Sequence, residues 1–429
     1  MKCIFFLLAV VLVLFSCKKA EDVDDSNANQ NGKHEYYEED EEVPIMFNRL
    51  MPITLTDNEK NVHDSTREFA YNYLRTCAKA AYGNTLVSPF STMALLAMTS
   101  NGAEGKTRDE IIEVIGTSNC TVADVNAYFQ SMYKKLLSVD KNTKFTLANS
   151  IWVDSKFQIR NTFKEALLTN YDAEVYNIDF SKSSAADIIN TWCKDKTRGR
   201  IPSIFEPQKL SGPVVIADAM YFKAKWNICF REKTIKKVFT NADKTTSSVD
   251  MMQLRCCPKY IDTGKVKILK KDYGNKAHAM YVILPSDSNG LNDFIDSFNA
   301  KSWEQMKIGM KTEYIDLELP QFEIGDDRSI KEMLTDMGIK TAFTSSANFS
   351  NISDASLYIN SIKQCTKIKV NTKGTEAATV SAEDMTSAAN PDKVEEPVYI
   401  PFVVDRPFAF IVEENSTGVI FFMGVINKL

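Results

Sequence analysis

From Thr54 to Leu429 the chain offers no place to divide it. No Pro/Gly-rich linker and no internal repeat interrupts that stretch, so its elements must share one fold. Helical spacing is concentrated early. Asn58 to Ala81 carries Phe69, Ala70, Tyr73, Leu74, Cys77 and Ala81 at helical intervals and ends at Gly83-Asn84. Ser91 to Thr99, Lys106 to Ile115 and Val122 to Leu137 also read as helices, with Thr107 and Glu110 as a capping box. β-rich runs then dominate: Lys144 to Val153, Val214 to Phe222, Val249 to Cys257, His278 to Leu284, Tyr314 to Leu319, Thr366 to Val370, Phe408 to Val412 and Val419 to Ile426. Helices first and strands later predict an α+β fold with large, mainly antiparallel sheets. At 429 residues and 44% hydrophobic, the chain has ample material for a large core.

The N-terminal part follows different rules. Residues 1–16 read as a signal peptide, in which Lys2 precedes an apolar run from Cys3 to Phe15 that is too short to span a bilayer as a helix. Leu14-Phe15-Ser16-Cys17 resembles a bacterial lipobox, which implies lipidation at Cys17; an ordinary secretory signal is the alternative. The acidic residues that follow resemble surface-export signals, so the expected site is the bacterial cell envelope, on the outer membrane or cell surface. Residues 17–50 form an acidic tether: between Lys18 and Val43, ten acidic side chains face three lysines, a net −7 that exceeds the whole chain's −5. So polar a segment cannot bury enough apolar surface to offset its ordering entropy. The remainder, 51–429, is nearly neutral, which argues against nucleic acid as a partner.

Common catalytic constellations are missing. Only His34, His63 and His278 are present, with no G-x-S-x-G elbow or protease-like cysteine signature beside them. Gly102-Ala103-Glu104-Gly105-Lys106-Thr107 imitates a phosphate loop, but two residues separate the glycines where four are needed. No metal or nucleotide motif appears, so no cofactor is expected. Cys77, Cys120, Cys193, Cys229, Cys256, Cys257 and Cys365 have neither zinc spacing nor disulfide regularity and read as mostly buried small hydrophobes.

A set of separate motifs, in order, carries a family resemblance. They include Asn84-Thr-Leu-Val-Ser88-Pro89-Phe90-Ser91, Leu147-Ala-Asn149, Ala219-Met-Tyr221-Phe222-Lys223-Ala-Lys-Trp226, Leu319-Pro320-Gln-Phe322, Gly374-Thr375-Glu376-Ala377-Ala378, Asp405-Arg406-Pro407-Phe408 and Phe422-Met423-Gly424. The chain thereby resembles the serpins from about Asp57 to its end. The resemblance implies helices packed on three sheets and an exposed reactive-centre loop at about 372–398. A protease cuts this bait, which then inserts into the central sheet as a new strand and drags the covalently held enzyme with it. The protein would be no enzyme, and the nucleophile would belong to the target. A monomer is expected. The runner-up is a non-inhibitory serpin acting as a binding or carrier module.

By the same resemblance the hinge is Thr372, Gly374, Thr375, Glu376, Ala377, Ala378 and Thr379, with Gly374 supplying the turn. Period-two alternation sets Thr375, Ala377, Thr379 and Ser381 on one face, which the family packs toward the core. Counting from Gly374 puts the reactive bond at Ala388-Ala389, with Met385, Thr386 and Ser387 as alternatives. Small residues there suit an elastase-like or subtilisin-like serine protease, with cysteine proteases open. Ser88, Ser91, Asp218, Gln364 and Trp226 match the sheet-opening region. Several departures stand out: Thr372 replaces a usual acid, Asp218 and Gln364 replace Asn and His, and Glu383 falls on the inward set, where burying a carboxylate is costly.

Overall fold

The computed structural model describes residues 47–80, 83–206, 210–287, 290–326, 328–375 and 397–429. Cys17, Glu376 to Thr379, Ser381, Glu383 and the candidate bonds at Met385 to Ala389 lie outside the described residues.

In chain order the early elements are α1 (Asp57–Lys79), β1 (Thr85–Val87), α2 (Pro89–Gly102), α3 (Lys106–Val114) and α4 (Val122–Val139). Then come β2 (Lys144–Asp154), α5 (Asn161–Tyr171), β3 (Glu174–Ile178), α6 (Ala185–Lys196) and β4 (Val214–Lys225). A strand-rich stretch follows: β5 (Ile235–Thr240), β6 (Thr246–Cys256), β7 (Lys259–Asp262), β8 (Val266–Asp272) and β9 (His278–Pro285). Next are α7 (Gly290–Ser297), α8 (Ala300–Gly309), β10 (Lys311–Thr312), β11 (Ile315–Pro320), β12 (Phe322–Asp326) and α9 (Lys331–Met337). The last strands are β13 (Ile359–Asn371), β14 (Gly374–Thr375), β15 (Ile400–Val403), β16 (Phe408–Glu414) and β17 (Ile420–Ile426).

Three sheets result, as expected for α+β. The central sheet runs β12-β13-β14-β4-β2-β3, a seven-stranded sheet runs β1-β17-β16-β9-β8-β7-β10, and a small one runs β15-β11-β6-β5. Most pairings are antiparallel, but β4 with β13, β2 with β3 and β11 with β15 are parallel. One face of the central sheet closes over the main core, where α2 is buried along almost its whole length because its sequence is apolar or small all round. The other face is covered by α6, whose Ile189, Trp192 and Cys193 pack with Trp152, Ala217 and Cys365.

Helix α1 starts at Thr56, whose hydroxyl accepts from the Glu59 amide while the Glu59 carboxylate accepts from the Thr56 amide at 2.7 Å. Residues ahead of it already touch the body: the Ile53 amide donates to Ser416 Oγ at 2.9 Å. The capping box expected at Thr107 and Glu110 does not form. Helix α3 begins at Gly105, which has a φ of 51° and no side-chain cap. Thr107 Oγ1 instead accepts from the Asn348 amide at 2.9 Å, and Glu110 accepts from the Lys340 and Thr341 amides. Both side chains fasten a distant loop by supplying acceptors to its backbone amides at Lys340, Thr341 and Asn348. The cysteines are less uniform than expected: Cys77, Cys193 and Cys365 are buried, Cys120, Cys229 and Cys256 half-buried, and Cys257 exposed.

Candidate functional site

Strands β4 and β13 are neighbours twice over. Along Val214 to Met220 they pair directly and in parallel with Ile359 to Thr366. Nearer the other end a third strand stands between them: β14 pairs antiparallel with β4 through Gly374–Lys225 and Thr375–Ala224, and with β13 through Asn371–Gly374 and Val370–Thr375. The central sheet is therefore closed over one length and wedged by two residues at its mouth.

The wedge is fixed by local chemistry. Asn371 Oδ1 accepts from the Lys373 amide at 2.9 Å and the Gly374 amide at 3.2 Å, turning the chain back on itself. Thr372 and Lys373 occupy that turn, and their carbonyls accept from the Phe230 and Trp226 amides. Gly374 itself lies in the strand without a positive φ. Its expected part as the flexible turn is thus corrected: glycine is required here because a Cβ would stand 2.1 Å from the Ala224 carbonyl oxygen. Thr375 is fully buried, and its hydroxyl shares a 2.6 Å hydrogen bond with Tyr273.

Trp226 belongs to this mouth. It stacks on Tyr273 at 4.2 Å, its indole N–H donates to the Asn371 carbonyl at 2.9 Å, and the Lys271 ammonium lies 5.3 Å above its ring. Grouping Trp226 with Ser88, Ser91, Asp218 and Gln364 is corrected by the strand: Trp226 lies just past the end of β4, eight residues and about 26 Å from Asp218. Lys271 is almost fully buried, donates to the Ile228 carbonyl and has its pKa pushed down to about 8 by desolvation.

Ser88, Ser91, Asp218 and Gln364 do come together where the sheet is closed. Asp218 and Gln364 are register partners on β4 and β13, and Gln364 Nε2 donates to Asp218 Oδ2 at 2.9 Å. Ser91 Oγ, in the first turn of α2, donates to Asp218 Oδ1. Gln364 Oε1 accepts from the Ser88 amide at 3.2 Å and from the Tyr73 hydroxyl at 3.1 Å, and its amide also reaches Thr92. Asn149 on β2 extends the row as the cross-strand partner of Asp218. Every side chain of this cluster is essentially out of water. Burial pushes the Asp218 carboxyl up to about 7, against the opposing pull of its two donors.

Sequence reasoning missed Tyr273, Asn371, Lys271, Tyr73 and Thr92. Nothing local marks the first four, since each acts on a partner more than forty residues away or on backbone atoms. Thr92 lay within reach, one residue beyond Ser91.

A family model described as Serpin (serine protease inhibitor) matches residues 64–429. Among curated proteins the chain is 29% identical over 393 residues to Iripin-2 of Ixodes ricinus, covering 89% of this chain and 97% of that one. It is 30% identical over 380 residues to an uncharacterised serpin-like protein of Methanosarcina acetivorans, covering 86% and 88%. Among solved structures, the thermophilic serpin Tengpin in its native state superposes with a TM-score of 0.79 at 27% identity, over 90% of this chain and 98% of that one. Human thyroxine-binding globulin complexed with thyroxine gives 0.79 at 25%, over 86% and 99%.

Proposed function

This chain belongs to the serpin family, and we propose that it inhibits serine endopeptidases as a suicide substrate whose cleaved loop inserts between β4 and β13. The observation that carries this reading is the wedge itself. Gly374 and Thr375 are already seated as the first two residues of a strand in the slot the loop is to fill, three residues of each strand beyond the directly paired length of β4 and β13.

Continuing that register gives the insertion a definite geometry. Each further loop residue pairs one step earlier on both β4 and β13, so Ser381 comes to lie between Asp218 and Gln364, and Glu383 between Ile216 and Ile362. Thr375, Ala377, Thr379 and Ser381 then share the core face, where small side chains fit. Ser381 can offer its hydroxyl to both members of the pair it separates. The bait at Ala388-Ala389, flanked by Met385, Thr386 and Ser387, suits an elastase-like or subtilisin-like protease. Lipidation at Cys17 of a signal-bearing precursor, a tether through residue 50 and a monomer at the bacterial cell surface complete the proposal.

A carrier role is the second reading, favoured by the likeness to thyroxine-binding globulin, which was solved with thyroxine bound. The two readings part on one experiment. The protein is mixed with an elastase, a subtilisin and a trypsin, run on denaturing gels and mapped by mass spectrometry. A detergent-resistant covalent band with cleavage at or beside Ala388 supports inhibition. Clean cleavage between Gly374 and Pro397 by all three, without that band, overturns it for these proteases.

A further inference from the structure

Insertion of the loop requires β4 and β13 to part, and the pair Asp218–Gln364 ties them side chain to side chain across the closed length. Placing a strand between them moves the two backbones from about 4.8 Å apart to about twice that, so the 2.9 Å hydrogen bond cannot survive.

The surroundings of Asp218 are almost entirely neutral. From α1 come Tyr73 and Cys77, from α2 Ser88, Ser91 and Thr92, from β2 Asn149 and from β13 Gln364. Burial holds the Tyr73 phenol and the Cys77 thiol in their uncharged forms. Beyond them Asp326 and Arg328 form an ion pair with each other, which presents little net charge. Among the described residues, no lysine, arginine or histidine acts on Asp218. A carboxylate so enclosed carries a charge with two donors and no cation, which is costly. A second observation agrees: Asn149 Oδ1, one strand over on the same face, is a buried acceptor with no hydrogen-bond partner among the described residues. An ionised Asp218 brings it only another acceptor, whereas a protonated Asp218 brings an O–H.

We propose that Asp218 is a proton latch on the central sheet, an inference that rests on the insertion reading: its neutral carboxyl holds β4 against β13, and its ionised form favours their parting. The sign follows from linkage. With the carboxyl raised from 3.8 to about 7 in the closed sheet, the closed state is best held below pH 3.8 and loses that support as pH rises through 7. The transition state for opening admits water to the gap and relieves the charge, so opening accelerates over that window and levels off above it.

Insertion is read without any protease by following a synthetic peptide of sequence Thr375 to Ser387 annealing to the purified protein, on native gels, from pH 5.5 to 8.5. The peptide carries Glu383→Ala, which removes the carboxylate that insertion would bury between Ile216 and Ile362, and its remaining side-chain carboxylates stay ionised throughout. The expected result is a rate that climbs about tenfold between pH 5.5 and 7.5 and is flat above, and a D218N variant whose rate does not change with pH. Ser91 Oγ can turn to accept from the introduced amide, so the variant keeps both contacts. A flat native profile, no annealing at any pH, or an equal slope in D218N overturns the latch; the native profile alone decides if the variant misfolds. A protein that traps protease yet anneals without pH dependence loses only the latch. One that shows the profile but traps nothing loses only the inhibitory reading.

Discussion

Replacing Gly374 with alanine probes the wedge at its tightest point. The new Cβ would stand 2.1 Å from the Ala224 carbonyl oxygen, 2.8 Å from Lys225 Cα and 3.0 Å from the Ala224 carbonyl carbon. All three are backbone atoms of β4, which β2 holds up to Lys223 and the Gly274 amide holds at the Lys225 carbonyl, so the relief must come from β14. A carbon needs about 3.4 Å or more from such neighbours, and a shift of about 1 Å breaks a hydrogen bond. The losses are the two pairings of β14 with β4 and the Thr375–Tyr273 hydrogen bond at 2.6 Å. At about 1 kcal/mol each these come to about 3 kcal/mol. The stiffer unfolded chain returns about 0.4–1 kcal/mol, leaving about 2 kcal/mol of destabilisation in urea titration. The same collision persists when the loop inserts, so the share of protease trapped falls relative to the share that merely cuts and leaves. A G374A protein as stable as the native one, with unchanged trapping, would refute the docked hinge.

Two further substitutions test neighbouring parts of the account. Lys271→Met removes a buried ammonium whose pKa is lowered from 10.5 to about 8; a lowered base favours unfolding below pH 8 and stops doing so as pH rises toward 10.5. The variant is therefore expected to be at least as stable as the native protein at pH 7, with its relative advantage shrinking by pH 10 in paired denaturation curves; a pH-independent difference contradicts this. Glu383→Ala takes a carboxylate away from the register position between Ile216 and Ile362, both fully buried, and should raise the trapped share several-fold at pH 7 by gel densitometry. An unchanged or lower share means that Glu383 does not travel that far into the sheet.

The ease of reading this chain varied with where the information lay. Strand β4 was recognisable from Val214 to Phe222 because it is buried on both faces and so carries a continuous apolar run. Helix α1 was equally plain, from its spacing and its terminal glycine. Half of β13 was invisible: Asn360, Ser361, Lys363 and Gln364 look like a polar loop, and only the parallel partner β4 makes them a strand. The polar cluster was found through motif resemblance alone, since Ser88, Asp218 and Gln364 are brought together by tertiary packing from three distant places. Gly374 was singled out correctly but for the wrong reason, because what demands glycine there is Ala224, about 150 residues earlier. Thr107 and Glu110 matched a capping box in type and spacing, yet the loop at 340–348 claimed both side chains.

The central claim is that the loop becomes a strand between β4 and β13, and the loop-cleaved protein tests it most directly. A protease that cuts between Glu376 and Glu396 and is then removed leaves the insertion as the only change to follow. The account predicts that the cleaved protein unfolds at a much higher temperature than the intact one, and that amides of Ala217 to Ala224 and Gln364 to Val370 exchange far more slowly. A cleaved protein that melts where the intact one does, with those amides unchanged, would contradict it.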